Sequence, residues 1–290
     1  MTTWREHMRI FAELAKIRIT FAVALTTITG YLLAGGTFDA GLILPAIGIF
    51  LLACGSSAIN HYQERDRDAK MERTRKRPIP SGRISSSKAL FFALILAVAG
   101  SGLLYISSGM MGMQLGLLAL IWYNAIYTPL KKKTAFAVVP GAIIGSIPPL
   151  VGWVAAGGTL SDPRAVFMAF FFFIWQVPHF WLLMLRYGEE YSKAGYPSIT
   201  NIYSPRQIRN ITFVWIVATA IAAIMLPAFN VVESWLVIAG LFISSIWLVG
   251  QFTTLLRSAG TSFSPIRYFM KINYFVLAVI IFLSLDRFIS

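Results

Sequence analysis

Apolar residues run through this chain in long blocks rather than alternating, and polar residues collect between the blocks. Nine blocks are long enough to be membrane spans, since crossing the hydrocarbon core takes about 20 residues. They fall at roughly 17–36, 41–60, 88–107, 110–128, 135–156, 164–184, 208–228, 232–254 and 268–287. Glycine and proline inside several blocks do not count against them, because spanning helices tolerate both. A partly amphipathic stretch from Trp4 to Arg18 precedes the first block, which reads as a first span rather than a cleaved signal.

Composition agrees with the pattern. The 290 residues are 57% hydrophobic and 13% charged, and the mean hydropathy is +0.69. Soluble domains are nearer half apolar and a quarter charged, so a polytopic all-α membrane protein is expected. With nine spans and the N-terminus inside, only Arg164 and Arg287 of the 25 Lys and Arg residues fall outside. That bias matches the positive-inside rule and predicts a cytoplasmic N-terminus. The net charge of +13 therefore implies anionic membrane lipid and requires no nucleic acid. A single cysteine, Cys54, excludes an intrachain disulfide. No linker or low-complexity tract divides residues 1–290, so one domain is expected.

Two inner loops, about 61–87 and 185–207, are longer than the rest and carry acids as well as bases. Four spans separate them, which suggests a loose four-plus-four-plus-one duplication with both loops facing one cavity. The segment from Asn60 to Arg83 holds four acids (Glu64, Asp66, Asp68 and Glu72) and eight bases within 24 positions. If the second span continues as a helix through Asp68, Asn60, Glu64 and Asp68 fall within roughly 80° of one another, while Asp66 faces away. One amide and two carboxylates on a stripe suit Mg²⁺, which takes hard oxygen ligands and bridges to substrate phosphates. The same spacing also fits a solvated helix end with i,i+4 ion pairs. Downstream, Arg73 and Arg77 offer planar forks for phosphate oxygens, on a segment stiffened by Pro78 and Pro80. Acids, metal and bases together are the apparatus for ionising an allylic diphosphate.

The run from Asn60 to Pro78, with Glu64-Arg-Asp-x-Asp68 followed by Met71-x-Arg73-Thr-x-x-Arg77-Pro78, is similar to the first aspartate-rich motif of the UbiA prenyltransferase superfamily. More narrowly it resembles the haem-farnesylating branch, the protohaem IX farnesyltransferases. Tyr127 to Thr134 with Gly141 to Trp153 resembles the region of the fourth and fifth helices of that branch. Trp175 to Phe180 with Glu189 to Pro197 resembles its sixth helix and following loop. The likeness runs from about Lys16 to Pro197. Three departures stand out: Ile17 replaces a common proline, so the start of the first span is expected to be less kinked; Glu64 stands where Asp is common; and the second acidic motif is broken, with Arg186 four residues before Glu190.

The resemblance implies a nine-helix UbiA-like bundle in the cell inner membrane, with its active site on the cytoplasmic side. It implies transfer of farnesyl from farnesyl diphosphate to a vinyl group of haem B, with water addition, giving haem O. Mg²⁺ would be held by Asn60, Glu64 and Asp68, with Glu190 as the remnant of the second site. Arg73, Arg77 and Lys131 or Lys132 would neutralise the diphosphate; Asn124 and Tyr127 would meet it or close the cavity. Tyr127 and the lysines also fit an interfacial anchor with snorkelling side chains. His179 would belong to a haem pocket, or serve as a helix–helix hydrogen-bond partner. Haem A synthase or oxidase-assembly proteins are the partners implied downstream. The rival readings are an aromatic or quinone-precursor prenyltransferase and, from another class, a transporter.

Overall fold

The computed structural model describes residues 4–257 and 264–289. Residues 1–3, 258–263 and 290 of the expected single unit lie outside the described residues. Those described are helical or in turns, with no strand among them. The helices are α1 (Trp4–Ala15), α2 (Ile17–Leu33), α3 (Ala40–Asp68) and α4 (Ser86–Ile121). They continue as α5 (Ala135–Ala155), α6 (Pro163–Lys193), α7 (Pro205–Met225), α8 (Trp235–Arg257) and α9 (Pro265–Ile289).

α4 contains two of the expected spans. With its continuation to Leu130 it forms a 45-residue helical segment, about 68 Å if straight, roughly twice the hydrocarbon thickness. Gly109 breaks it, at φ 63° and ψ −166°, a region essentially reserved for glycine. The chain reverses there, because Leu104 fills the place where a Gly116 side chain would stand. Along one straight helix those residues would be about 18 Å apart. The two arms of α4, the shorter apolar α2 and six further long apolar helices make nine spans among the described residues, as the hydrophobic blocks predict.

Local chemistry sets the ends of these helices. Asp39 caps α3 by accepting from Gly41 N at 2.8 Å, and Asp162 caps α6 with Pro163 at its first position. Ser204 and Gln207 form a reciprocal capping box on α7. α1 is amphipathic, with Ile10 and Leu14 buried and Trp4 and Met8 exposed. It docks on the C-terminal half of α3, and Arg83 donates to Glu13 there at 2.5 Å. The start of α2 departs from expectation. Lys16 lies in the left-handed region at φ 48°, so α1 and α2 meet at a sharp break even with Ile17 in place of proline. Position 16 makes the turn itself and proline is not needed.

Between α2 and α5 the backbones touch. A side chain on Gly30 would overlap Pro149 O, and one on Gly152 would overlap Thr27 O. Thr27 Oγ1 donates to Pro148 O at 3.0 Å across the same seam. Lipid gives helices no hydrophobic reason to associate, so such close packing and hydrogen bonds hold them together. One core lies among α2, α3, α4 and α5, around Ile49, Leu52, Leu104 and Val151. Another joins α6 to α7, α8 and α9, around Phe171, Phe172, Phe252 and Phe275. The space left between α2–α5 and the C-terminal half of α6 is the cavity that matters for function.

Candidate active site

α3 runs unbroken to Asp68, so the stripe expected from helical spacing exists. Asn60, Glu64 and Asp68 all line a cavity of about 360 Å³, within the usual range for small-molecule sites. All three are buried, Glu64 to 5% and Asp68 to 0% exposure. Asp66 is exposed and sits 3.7 Å from Arg65, off the stripe as its spacing requires.

A base already holds each buried carboxylate. Arg77 donates through one nitrogen to both oxygens of Asp68, at 2.9 Å and 2.7 Å. Lys131 lies 2.5 Å from Glu64 Oε1, which also accepts from the Tyr196 hydroxyl at 2.9 Å. Burial works against a charge on Lys131, but the Glu64 carboxylate keeps its pKa well above the ordinary lysine value. Lys16 Nζ donates to Asn60 Oδ1 at 3.3 Å. Burial, and next the charge of Arg77, pull its pKa down to about 7. The left-handed backbone at Lys16 thus delivers a third base to the carboxylates.

Aromatic rings frame this charged mouth. Lys131 Nζ is 5.3 Å from the Tyr196 ring centre and 5.7 Å from that of Tyr127; Arg73 lies over Tyr187 at 4.6 Å. Tyr127 reaches the wall from a π-helical turn, Trp122–Tyr127, that follows α4; such turns recur at functional sites. Gly141 leaves room for the Tyr127 ring. Below the mouth the lining turns apolar, with Val23, Leu52, Leu120, Ile144 and Leu183 among its residues.

The cavity gathers seven of the residues singled out in the sequence: Asn60, Glu64, Asp68, Arg73, Arg77, Tyr127 and Lys131. Four others lie outside its lining. Asn124 joins α4 to α3, accepting from Ser56 Oγ at 2.6 Å and donating to Ser56 O at 3.0 Å. Lys132 donates to Gln63 O at 3.2 Å. His179 faces α9, its ring centre 4.5 Å from that of Phe269, with Nδ1 buried and unpartnered. Glu190 accepts from Arg73 N at 3.4 Å, which links the two long loops across the mouth without placing its carboxylate beside Glu64 or Asp68. Sequence reasoning gave no role to Lys16, Tyr196, Tyr123, Tyr187 or Gln176. Lys16 and Tyr196 carry no local motif, since their partners are 44 and 132 positions away.

No three His, Cys, Asp or Glu residues cluster as a metal cage among the described residues. Mg²⁺ needs none, because it commonly takes one or two carboxylates and completes its shell with water and phosphate. Two buried carboxylates and an amide facing one cavity fit that ion.

Known proteins share the sequence and the architecture. A protoheme IX farnesyltransferase from Oleidesulfovibrio alaskensis is 34% identical over 283 residues, 98% of each chain. One from Geobacter sulfurreducens is 39% identical over 218 residues, 73% of this chain and 78% of that one. A structure described for digeranylgeranylglyceryl phosphate synthase superposes with a TM-score of 0.75, at 18% identity, over 97% of this chain and 99% of that one. A UbiA homolog from Archaeoglobus fulgidus bound to GPP and Mg²⁺ gives 0.68 at 14% identity, over 94% and 98%. At those identities the two structures establish a common fold. The sequence profile of the UbiA prenyltransferase family matches residues 23–275, and this chain, a multi-pass membrane prenyltransferase, belongs to that family.

Proposed function

We propose that the protein transfers the farnesyl group of farnesyl diphosphate to a vinyl group of haem B and adds water, giving haem O. The observation that carries the reading is the pair of buried carboxylates one helical turn apart, each tied to a base, at the mouth of an apolar cavity. The extent of identity to the haem farnesyltransferases selects haem among the acceptors of the family. The charge bias of the loops supports a mouth on the cytoplasmic side, in the cell inner membrane. Haem A synthase or an oxidase-assembly protein would receive the product.

Asn60, Glu64 and Asp68 would hold Mg²⁺, which when bound supplies positive charge to the departing diphosphate. Arg77 and Lys131, released from Asp68 and Glu64, turn toward the diphosphate oxygens, joined by Lys16 and Arg73. Once there, they favour the charge that develops on the leaving group more than the intact ester. Apolar walls below keep water from the prenyl chain. Acid–base chemistry on a protein side chain is not required, because the vinyl group supplies the electron pair. Glu190, Asn124, Lys132 and His179 take supporting roles: Glu190 through Arg73, Asn124 and Lys132 through Gln63, and His179 at the α6–α9 contact.

The test is the product formed by purified protein given haem B, farnesyl diphosphate and Mg²⁺, read by mass. Haem O is expected, and Asp68→Ala is expected to abolish it while the protein still inserts in the membrane. Prenylation of 4-hydroxybenzoate in place of haem would overturn the acceptor assignment. Wild-type turnover by Asp68→Ala would overturn the metal role.

A further inference from the structure

One polar side chain in the apolar part of the cavity has no partner. Gln176 of α6 lines the cavity, and its side-chain amide makes no hydrogen bond among the described residues. Thr20, Ser56 and Ser57, which also line the cavity, are already engaged. Thr20 donates to Ile17 O at 3.2 Å, Ser56 to Asn124 at 2.6 Å and Ser57 to Leu14 O at 2.8 Å. The amide of Gln176 rests on Gly145 of α5, filling the place where a Cβ would stand. Four residues farther along α6, Phe180 lies 6.2 Å from Tyr127, and four residues earlier on α5 the Tyr127 ring fills the space at Gly141. Gln176 therefore sits one helical turn, about 6 Å, deeper than Tyr127. Lys131 Nζ is 5.7 Å from the Tyr127 ring centre, so Gln176 lies below the charged mouth, on the apolar side of the cavity. The amide is only partly buried and faces the cavity, so a water molecule held there can hydrogen-bond to it.

We infer that Gln176 positions the water that ends the reaction, an assignment that rests on the haem-farnesylation reading. The C1–O bond of farnesyl diphosphate breaks, and the diphosphate keeps the electron pair. The vinyl π pair then forms the new C–C bond to C1. Positive charge is left on the vinyl carbon attached to the macrocycle. A water molecule donates a hydrogen bond to the Gln176 carbonyl, which aims its lone pair at that carbon. The new C–O bond forms, and the surplus proton passes to the released diphosphate. Without a held water the same cation loses a proton from the adjacent carbon and becomes an alkene, a product lighter by one water.

The experiment compares haem products by mass for wild type, Gln176→Leu, Gln176→Glu and Gly145→Ala, each supplied with haem B, farnesyl diphosphate and Mg²⁺. Gln176→Leu is expected to lower the ratio of hydrated to dehydrated product at least tenfold, with farnesyl diphosphate still consumed. Gln176→Glu keeps a carbonyl acceptor and is expected to restore the ratio. Gly145→Ala displaces the amide without removing it and is expected to shift the ratio as Leu does, which covers the case in which Gln176→Leu fails to fold. Unchanged ratios in both Gln176→Leu and Gly145→Ala overturn the inference. So does loss of farnesyl diphosphate consumption in both, since a group acting after C–C bond formation leaves ionisation intact. Absence of haem O from the wild type instead overturns the parent reading.

Discussion

At the scale of single residues, the cavity mouth is a set of ion pairs that a ligand must exchange. Glu64 is held by Lys131 and Tyr196, and Asp68 by Arg77. Tyr196→Phe removes one hydrogen bond to a buried carboxylate, worth roughly 1.5–3 kcal/mol. The expected outcome is a lowered melting temperature together with a fall of about tenfold or more in kcat/KM for farnesyl diphosphate, checked by a melting curve and steady-state kinetics. Lys131→Ala leaves Glu64 buried without its base, and breaking such a pair costs about 3–5 kcal/mol. It is expected to lower both the melting temperature and activity, and Lys131→Arg to recover stability first. Asn60, Glu64 and Asp68 were legible in the sequence because they share one helix and a four-residue spacing. Tyr196 and Lys16 were not legible, since only the closed bundle brings them to that helix. Asn124 shows the opposite failure: a buried amide one turn from Tyr127 is used to join α3 and α4, and spacing alone does not separate the two uses.

Among the elements, the hydrophobic blocks foretold where helices lie but not how they turn. The reversal inside α4 depends on one residue, Gly109, whose φ of 63° and ψ of −166° exclude a side chain. Gly109→Ala is expected to destabilise the protein by about 1–3 kcal/mol with the cavity chemistry unaltered, read as a lower melting temperature in detergent and unchanged KM. The seam between α2 and α5 has less tolerance. Gly152→Val places a branched side chain on Thr27 O and is expected to abolish folded protein, measured as loss of the monodisperse peak in size-exclusion chromatography. The break at Lys16 escaped a pattern-based reading because the signal sought there was proline. The backbone instead turns at a lysine whose ammonium is tied to Asn60.

Across the whole molecule, the division of labour is uneven. α2 to α6 enclose the cavity, while α7, α8 and α9 pack on the far side of α6 around Phe171, Phe172, Phe252 and Phe275. Chelating divalent metal is therefore expected to stop prenyl transfer without unfolding the bundle. Activity should vanish on adding EDTA and return with excess Mg²⁺, while the helical circular dichroism signal stays constant; loss of that signal would count against a metal confined to the mouth. α3 and α6, at 29 and 31 residues, are about 43 and 46 Å long, against a hydrocarbon layer of about 30 Å. Both exceed that layer, and each carries residues of the mouth near its C-terminal end, Glu64 and Asp68 on α3 and Tyr187 on α6, as expected of a charged mouth among lipid headgroups above a cavity in the hydrocarbon. The two products consequently part by solubility: diphosphate leaves into water, and the greasy tetrapyrrole leaves into the bilayer. Neither has to pass the other on its way out.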